Sequence, residues 1–225
     1  MIWILVFLLL LAIFLLPQWW VGRVLKQHST PREDFPGTGG ELAQHLIKVQ
    51  GLAGVKVEAT AAGDHYDPMD KMVRLTSDKL EGRSLTAIVV AAHEVGHAIQ
   101  DHNNEKIFNA RIKAAKFANI AQRITPIAFW ISPVIALINP GASRVTLGIA
   151  VLSILASTLV HLITLPVEWD ASFGKALPIL EKGGYLNEQD MKDARQILSA
   201  AALTYVAGSL ASLLSVWRWL RYLRP

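Results

Sequence analysis

Four long runs of apolar residues dominate the pattern of the chain. They cover approximately residues 2–21, 124–138, 145–165 and 197–216. A helix needs about 20 apolar residues to cross a bilayer, and each run is long enough or nearly so. The first run lacks a basic start and a small-residue cleavage site, so we interpret it as an anchor rather than a removed signal peptide. For the second and fourth runs, core helices of a soluble domain are the alternative interpretation.

Between these runs, shorter patterns predict one small lobe of mixed secondary structure. Glu41–Val49 is amphipathic in the manner of a helix. Val55–Thr60 and Lys71–Thr76 alternate between apolar and polar residues, and Gly63–Pro68 between them favours a turn. We therefore predict a β-hairpin or small sheet. Ser84 is a suitable N-cap for a helix that runs from Leu85 to about Gln100.

The fold class expected from these patterns is mainly α. A single domain over residues 1–225 would combine a membrane helical bundle with one soluble lobe, made of residues 22–123 and 166–196. Within the lobe, Pro166 suits the first turn of a helix from Val167 to about Leu180, and Gly183 and Gly184 would end it.

Charge and composition refine this picture. The chain of 225 residues is 52% hydrophobic, contains no cysteine and has a net charge of +4. Segments 22–123 and 166–196 hold 14 and 4 of the 22 basic residues, which places them in the cytoplasm by the positive-inside rule. The three arginines at positions 218–224 disagree, and a re-entrant or interfacial last helix would resolve this. We expect a multi-pass protein of the cell membrane that contacts the lipid bilayer and no nucleic acid.

The strongest chemical signal lies in the helix predicted from Leu85. His93, Glu94 and His97 form the pattern H-E-x-x-H inside an almost unbroken apolar run. Histidines four residues apart lie on one helix face and can share a Zn²⁺ ion, and Glu94 is then placed to accept a proton from a water at the metal. Unpaired ionisable groups are costly in an apolar helix, and a metal explains their presence.

Two histidines leave a catalytic zinc site one protein ligand short. The longer pattern H-E-x-x-H-x-x-G-x-x-H would place the third ligand at Asn103, and its glycine position is Gln100. Candidates elsewhere are Asp101, His102, Glu105, His161, Glu168 and Asp170.

Glu168 is the best candidate because it begins a predicted helix on the same side of the membrane as His93. Asp170 is about 200° away around that helix, which makes it a poor partner ligand and a better helix N-terminal charge. Ser172, one turn after Glu168, is a candidate hydrogen-bond partner behind the ligands.

Four segments carry a resemblance to a known family: Asp64–Pro68, Ala91–Gln100, Leu165–Ser172 and Ala201–Ala207. The chain resembles the YugP-like membrane zinc metallopeptidases of bacteria and, more distantly, integral membrane peptidases of the HtpX and CAAX-protease type. The resemblance implies a membrane-embedded zinc peptidase with a small zincin-like α+β lobe. It agrees with His93, His97 and Glu168 as ligands of one Zn²⁺ and with Glu94 as the base. The more distant relatives usually carry an Asp four residues after the ligand Glu, where this chain has Ser172.

The expected activity is zinc-dependent endopeptidase cleavage of a peptide or membrane-protein substrate. Tyr205 and His161 are candidate donors to the developing oxyanion; a packed tyrosine and a hydrogen-bonded core histidine are the alternatives. The strand Met72–Thr76 would offer an edge for an extended substrate. A zinc-stabilised membrane scaffold or chaperone partner without turnover is the competing function, and a transporter is a weaker one.

Overall fold

The computed structural model describes the backbone of residues 2–223. It describes their side chains except at residues 2–10 and 13–14, at scattered positions between 121 and 154, and at most positions from 211 onward. The chain forms two compact units. The first comprises the chain up to Glu105 together with Val167–Thr204, and the second comprises Lys106–Pro166 together with the chain from Tyr205 onward. The helices in chain order are α1 (Ile2–Gln27), α2 (Gly39–Val49), α3 (Ser77–Leu80), α4 (Leu85–His102), α5 (Lys106–Ile138), α6 (Pro140–Trp169), α7 (Leu177–Lys182) and α8 (Glu188–Leu223).

The predicted membrane helical bundle is wrong. Within the described part of the chain, no helix combines the length and the apolar character that crossing a bilayer requires. Two of the apolar runs are the later portions of long helices whose first turns are polar: α5 begins with a basic segment, and α8 begins with several charged residues. The beginning of the first predicted span (2–10) and most of the end of the fourth (211–216, apart from Leu213) lie outside the described side chains. The multi-pass arrangement and the orientation that depended on it are therefore without support.

The sheet of the first unit differs from the predicted hairpin. Strands β1 (Lys56–Ala59) and β3 (Met72–Leu75) occur where alternation predicts them, but they pair in parallel. A third strand, β2 (His65–Asp67), occupies the segment predicted as a turn and forms the antiparallel hairpin with β3. Asp67 stabilises the turn that follows because its carboxylate accepts hydrogen bonds from the backbone of Met69 and Asp70.

The strand order β1-β3-β2 makes β3 the central strand. Both of its edges are hydrogen-bonded within the sheet, so the prediction that an extended substrate adds to this strand is wrong. Hydrogen bonding with two neighbours uses the backbone groups that strand addition needs.

Helix α4 is the centre of the first unit. Ser84 caps it by accepting a hydrogen bond from the backbone N–H of Ala87, as its N-cap position predicts. The helix packs against α2 and against the segment Asp170–Ala176, which has π-helical geometry. Apolar residues from several elements are fully buried around it: Leu46, Val73, Leu75, Val89, Val95 and Leu180.

The helix predicted from Val167 to about Leu180 begins differently from the prediction but ends where predicted. Pro166 lies inside α6 instead of starting a new helix, and the chain passes through the π segment directly into α7. Gly183 and Gly184 end α7 as predicted, and Gly184 has a φ of +63°, which glycine adopts without strain. In a π segment the backbone hydrogen bonds span five residues instead of four. Such segments occur frequently at functional sites.

Candidate metal centre

Three predicted metal ligands meet at one point in the first unit. Nε2 of His93 lies 3.2 Å from Oε2 of Glu168, and Nε2 of His97 lies 3.3 Å from the same oxygen. One potential ligand atom from each residue lies within 4.8 Å of the others. Helix α4 supplies the two histidines four residues apart, and the last turn of α6 supplies the glutamate.

This arrangement fits a zinc ion. In a tetrahedral site with bonds of about 2.0–2.1 Å, neighbouring ligand atoms are about 3.3 Å apart, close to the two nitrogen–oxygen distances observed here. The set of two imidazoles and one carboxylate is also a known ligand combination of catalytic zinc sites, which keep one position open.

Of the three side chains, that of His93 is the most exposed. The side chains of His97 and Glu168 are buried, whereas that of His93 is 15% exposed. A structural zinc site is normally closed by four protein ligands, so three ligands with access at His93 favour a site that admits water or substrate.

Glu168 is held as an anion. Burial favours the neutral acid, but the positive potential of His97 and hydrogen bonds to both histidines outweigh burial and hold the pKa of the Glu168 carboxyl well below its ordinary value. An ionised carboxylate is the form that binds a metal.

A glycine allows the two ligand-bearing segments to approach each other. A Cβ at Gly96, inside the H-E-V-G-H sequence, would lie 2.7 Å from the carbonyl oxygen of Ala171 in the π segment. Only glycine fits there. Gly96, the second x of H-E-x-x-H, therefore allows the segment that carries Glu168 to lie close to the histidines.

Each histidine has a second partner at Nδ1, on the ring edge away from Glu168. Oγ of Ser172 lies 3.1 Å from Nδ1 of His93, the position that the sequence leaves open for a group that orients the first histidine. Oε1 of Gln100 lies 2.9 Å from Nδ1 of His97. Both residues lie directly behind the ligands, where such contacts set ring orientation.

Gln100 is the residue that sequence reasoning missed. It is fully buried, and its Nε2 donates to the Val167 carbonyl at 3.0 Å and to Oδ2 of Asp170 at 2.8 Å. From the sequence it counted only as a departure from the glycine of a longer zinc motif. Its position three residues after His97, on the same helix face, is the signal that would have indicated it.

Asp170 belongs to this outer network rather than to the ligand trio. Its Oδ2 also forms an ion pair with Nζ of Lys175 at 3.0 Å. The same Nζ lies 3.0 Å from Oε1 of Glu105. Burial raises the pKa of Asp170, but the hydrogen bonds from Gln100 and Lys175 outweigh burial, and the pKa is lowered overall. Asp170 therefore remains a negatively charged acceptor behind Gln100.

The other candidate residues have different surroundings. Oδ2 of Asp101 accepts a hydrogen bond from the Tyr66 hydroxyl at 2.7 Å, and His102 is exposed. Glu94 is buried on α4 between the two histidines in sequence. His161, which is exposed, and Tyr205, which is half-buried, belong to the second unit, and their part in catalysis stays a prediction.

Comparison with known proteins agrees with the character of this site. A family described as "Putative neutral zinc metallopeptidase" matches residues 2–224. The chain is also similar to the protein named "Putative membrane protease YugP" of Bacillus subtilis (strain 168), with 36% identity over 184 residues, which cover 81% of this chain and 79% of that protein. No solved structure matches the chain. The resemblance identified from the motifs is thus confirmed.

Proposed function

The chain belongs to the neutral zinc metallopeptidase family, and from this premise we propose that it is an endopeptidase that cleaves peptide bonds with the aid of one Zn²⁺ per chain. The observation that carries the proposal is the meeting of His93, His97 and Glu168, from segments more than 70 residues apart, with spacings suited to zinc. The named activity of the Bacillus subtilis relative, a membrane protease, supports the same class of reaction.

The proposed division of labour follows from the chemistry of each side chain. His93, His97 and Glu168 would hold the ion, which when bound polarises the substrate carbonyl and lowers the pKa of water. Glu94 accepts the proton of the attacking water and delivers it to the leaving amine.

The decisive variant is Glu94→Gln, which preserves size and removes the base. We expect the purified variant to bind zinc as the wild type does and to lose cleavage of an unfolded casein substrate by roughly 100-fold or more. Undiminished cleavage would refute Glu94 as the base. Stable zinc binding without cleavage in the wild type would instead favour the non-catalytic scaffold.

The metal content is tested separately with Glu168→Ala. We expect about one zinc per wild-type chain by elemental analysis, and a large loss in the variant because a two-histidine set binds zinc weakly. Glu181→Ala is a matched control: it also removes a glutamate from a helix of the first unit, but outside the ligand trio. Equal zinc in Glu168→Ala and wild type would refute Glu168 as a ligand.

We also propose that the protein works at a membrane. Helix α5 exposes large apolar side chains, among them Trp130, Leu137 and Ile138, and α6 exposes Leu152 and Leu159. Large exposed apolar surfaces indicate contact with lipid or with another protein. Fractionation of cells that express the full chain tests this, and recovery in the soluble fraction without detergent would contradict it.

A further inference from the structure

We propose that Gln100 is a positioning residue that holds His97 in the tautomer able to bind a metal, an inference that rests on the proposed metal site. The side chain of Gln100 contacts His97, Val167 and Asp170 at the same time. It is completely buried, so water cannot replace any of these hydrogen bonds.

The contacts determine which end of the amide faces His97. The Val167 carbonyl can only accept a hydrogen bond, and it lies 3.0 Å from the amide end that also contacts Oδ2 of Asp170 at 2.8 Å. Only the NH₂ end, with two protons, satisfies both. The reversed amide would place its oxygen against two other oxygens, at a cost of about 1–3 kcal/mol for each buried group left unsatisfied.

The amide oxygen then determines the tautomer of His97. Oε1 of Gln100 accepts but cannot donate, so Nδ1 of His97, 2.9 Å away, carries the proton. A neutral imidazole has one N–H, which leaves a lone pair on Nε2. This atom lies 3.3 Å from Oε2 of Glu168, so its lone pair is placed to bind a metal ion held by both residues.

His93 provides an internal contrast. Its Nδ1 faces the hydroxyl of Ser172 at 3.1 Å. A hydroxyl can donate or accept, so Ser172 allows both tautomers of His93. Gln100 therefore imposes a constraint on His97 that Ser172 does not impose on His93.

The direct test is the protonation state of the His97 ring in the metal-free full chain. Long-range ¹H–¹⁵N NMR distinguishes the two tautomers, and the His97 signals are identified by their absence in His97→Gln. We expect Nδ1 of wild-type His97 to be protonated, because it faces the amide oxygen of Gln100, which can only accept. In Gln100→Met, which keeps the length and lacks the acceptor, we expect a mixture of tautomers. A wild-type His97 with an unprotonated Nδ1 would overturn the proposal.

A second measurement follows zinc affinity by competition with a chelator. We expect Gln100→Met to bind zinc roughly 10- to 100-fold more weakly than wild type. Ser172→Ala should lose less, and Gln100→Glu, which restores an acceptor for His97, should bind more tightly than Gln100→Met. Unchanged affinity in a folded Gln100→Met protein would overturn the proposal.

The two measurements separate this inference from the proposed function. If Gln100→Met does not fold, the wild-type spectrum still decides the tautomer. If wild-type protein binds no zinc, the proposed function fails, while the metal-free spectrum still shows whether Gln100 fixes His97.

Discussion

Replacing Gly96 with alanine should weaken metal binding without changing any ligand. The new Cβ would lie 2.7 Å from the carbonyl oxygen of Ala171, and 3.4 Å from its carbonyl carbon and Cα. Because the obstacle is backbone, no side-chain rotation relieves it. Helix α4 and the π segment must move apart.

The size of this movement sets the expected effect. The oxygen contact is about 0.7 Å shorter than ordinary van der Waals contact. Ala171 lies three residues after Glu168, so a displacement of this size reaches the ligand oxygen, whereas metal–ligand distances tolerate only about 0.2 Å. We expect zinc affinity to fall roughly 10- to 100-fold and the metal-free fold to lose about 1–3 kcal/mol.

Chelator competition measures the zinc affinity, and thermal melting of metal-free protein measures the stability. Gly22→Ala is the matched control because Gly22 is also helical and nothing lies within 4 Å of its added Cβ. Adding Ala171→Gly to Gly96→Ala should not restore binding, since the contact is with the backbone. Wild-type zinc affinity and an unchanged melting temperature in Gly96→Ala would refute the reasoning.

Three further predictions concern stability. Tyr66→Phe removes the hydrogen bond to Asp101, and denaturant unfolding should show a loss of about 1–2 kcal/mol, with no loss if that bond is unimportant. The lowered pKa of Asp170 stabilises the fold above the ordinary Asp pKa, and this contribution is lost as the pH falls through the lower pKa of the folded state. Metal-free Asp170→Asn should therefore lose less stability than wild type when the solution is acidified. Parallel curves of melting temperature against pH for the two proteins would contradict this. Zinc at 100 times its dissociation constant should stabilise wild type by about 2.7 kcal/mol, so a chelator should lower the melting temperature of wild type but not of Glu168→Ala.

The ligand set shows how far local patterns reach. The four-residue spacing of His93 and His97 requires only that the segment be helical, and apolar periodicity with the Ser84 cap predicts that helix. The place of Glu168 in the chain favours it among the six candidate third ligands, and the structure brings it to the histidines. The resemblance to known peptidases pointed to the same three residues.

Other features depended on contacts between distant segments. Two alternating strands do not reveal whether they pair in parallel, and the intervening β2 was hidden in a sequence typical of turns. The apolar runs predicted membrane spans, but two of them are the later parts of longer helices that begin with polar residues. A hydropathy pattern does not show where such a helix begins.

The sequence by itself determined the metal-binding helix, its cap and the family, because each depends on neighbouring residues in one regular helix or on a short motif. Tertiary structure alone decided that Gln100 joins His97 to Asp170 and that Gly96 admits the backbone of Ala171. The contacts of Gln100 with Asp170 and of Gly96 with Ala171 join residues at least 70 positions apart. They arise from the packing of α4 against the π segment, which no local periodicity encodes.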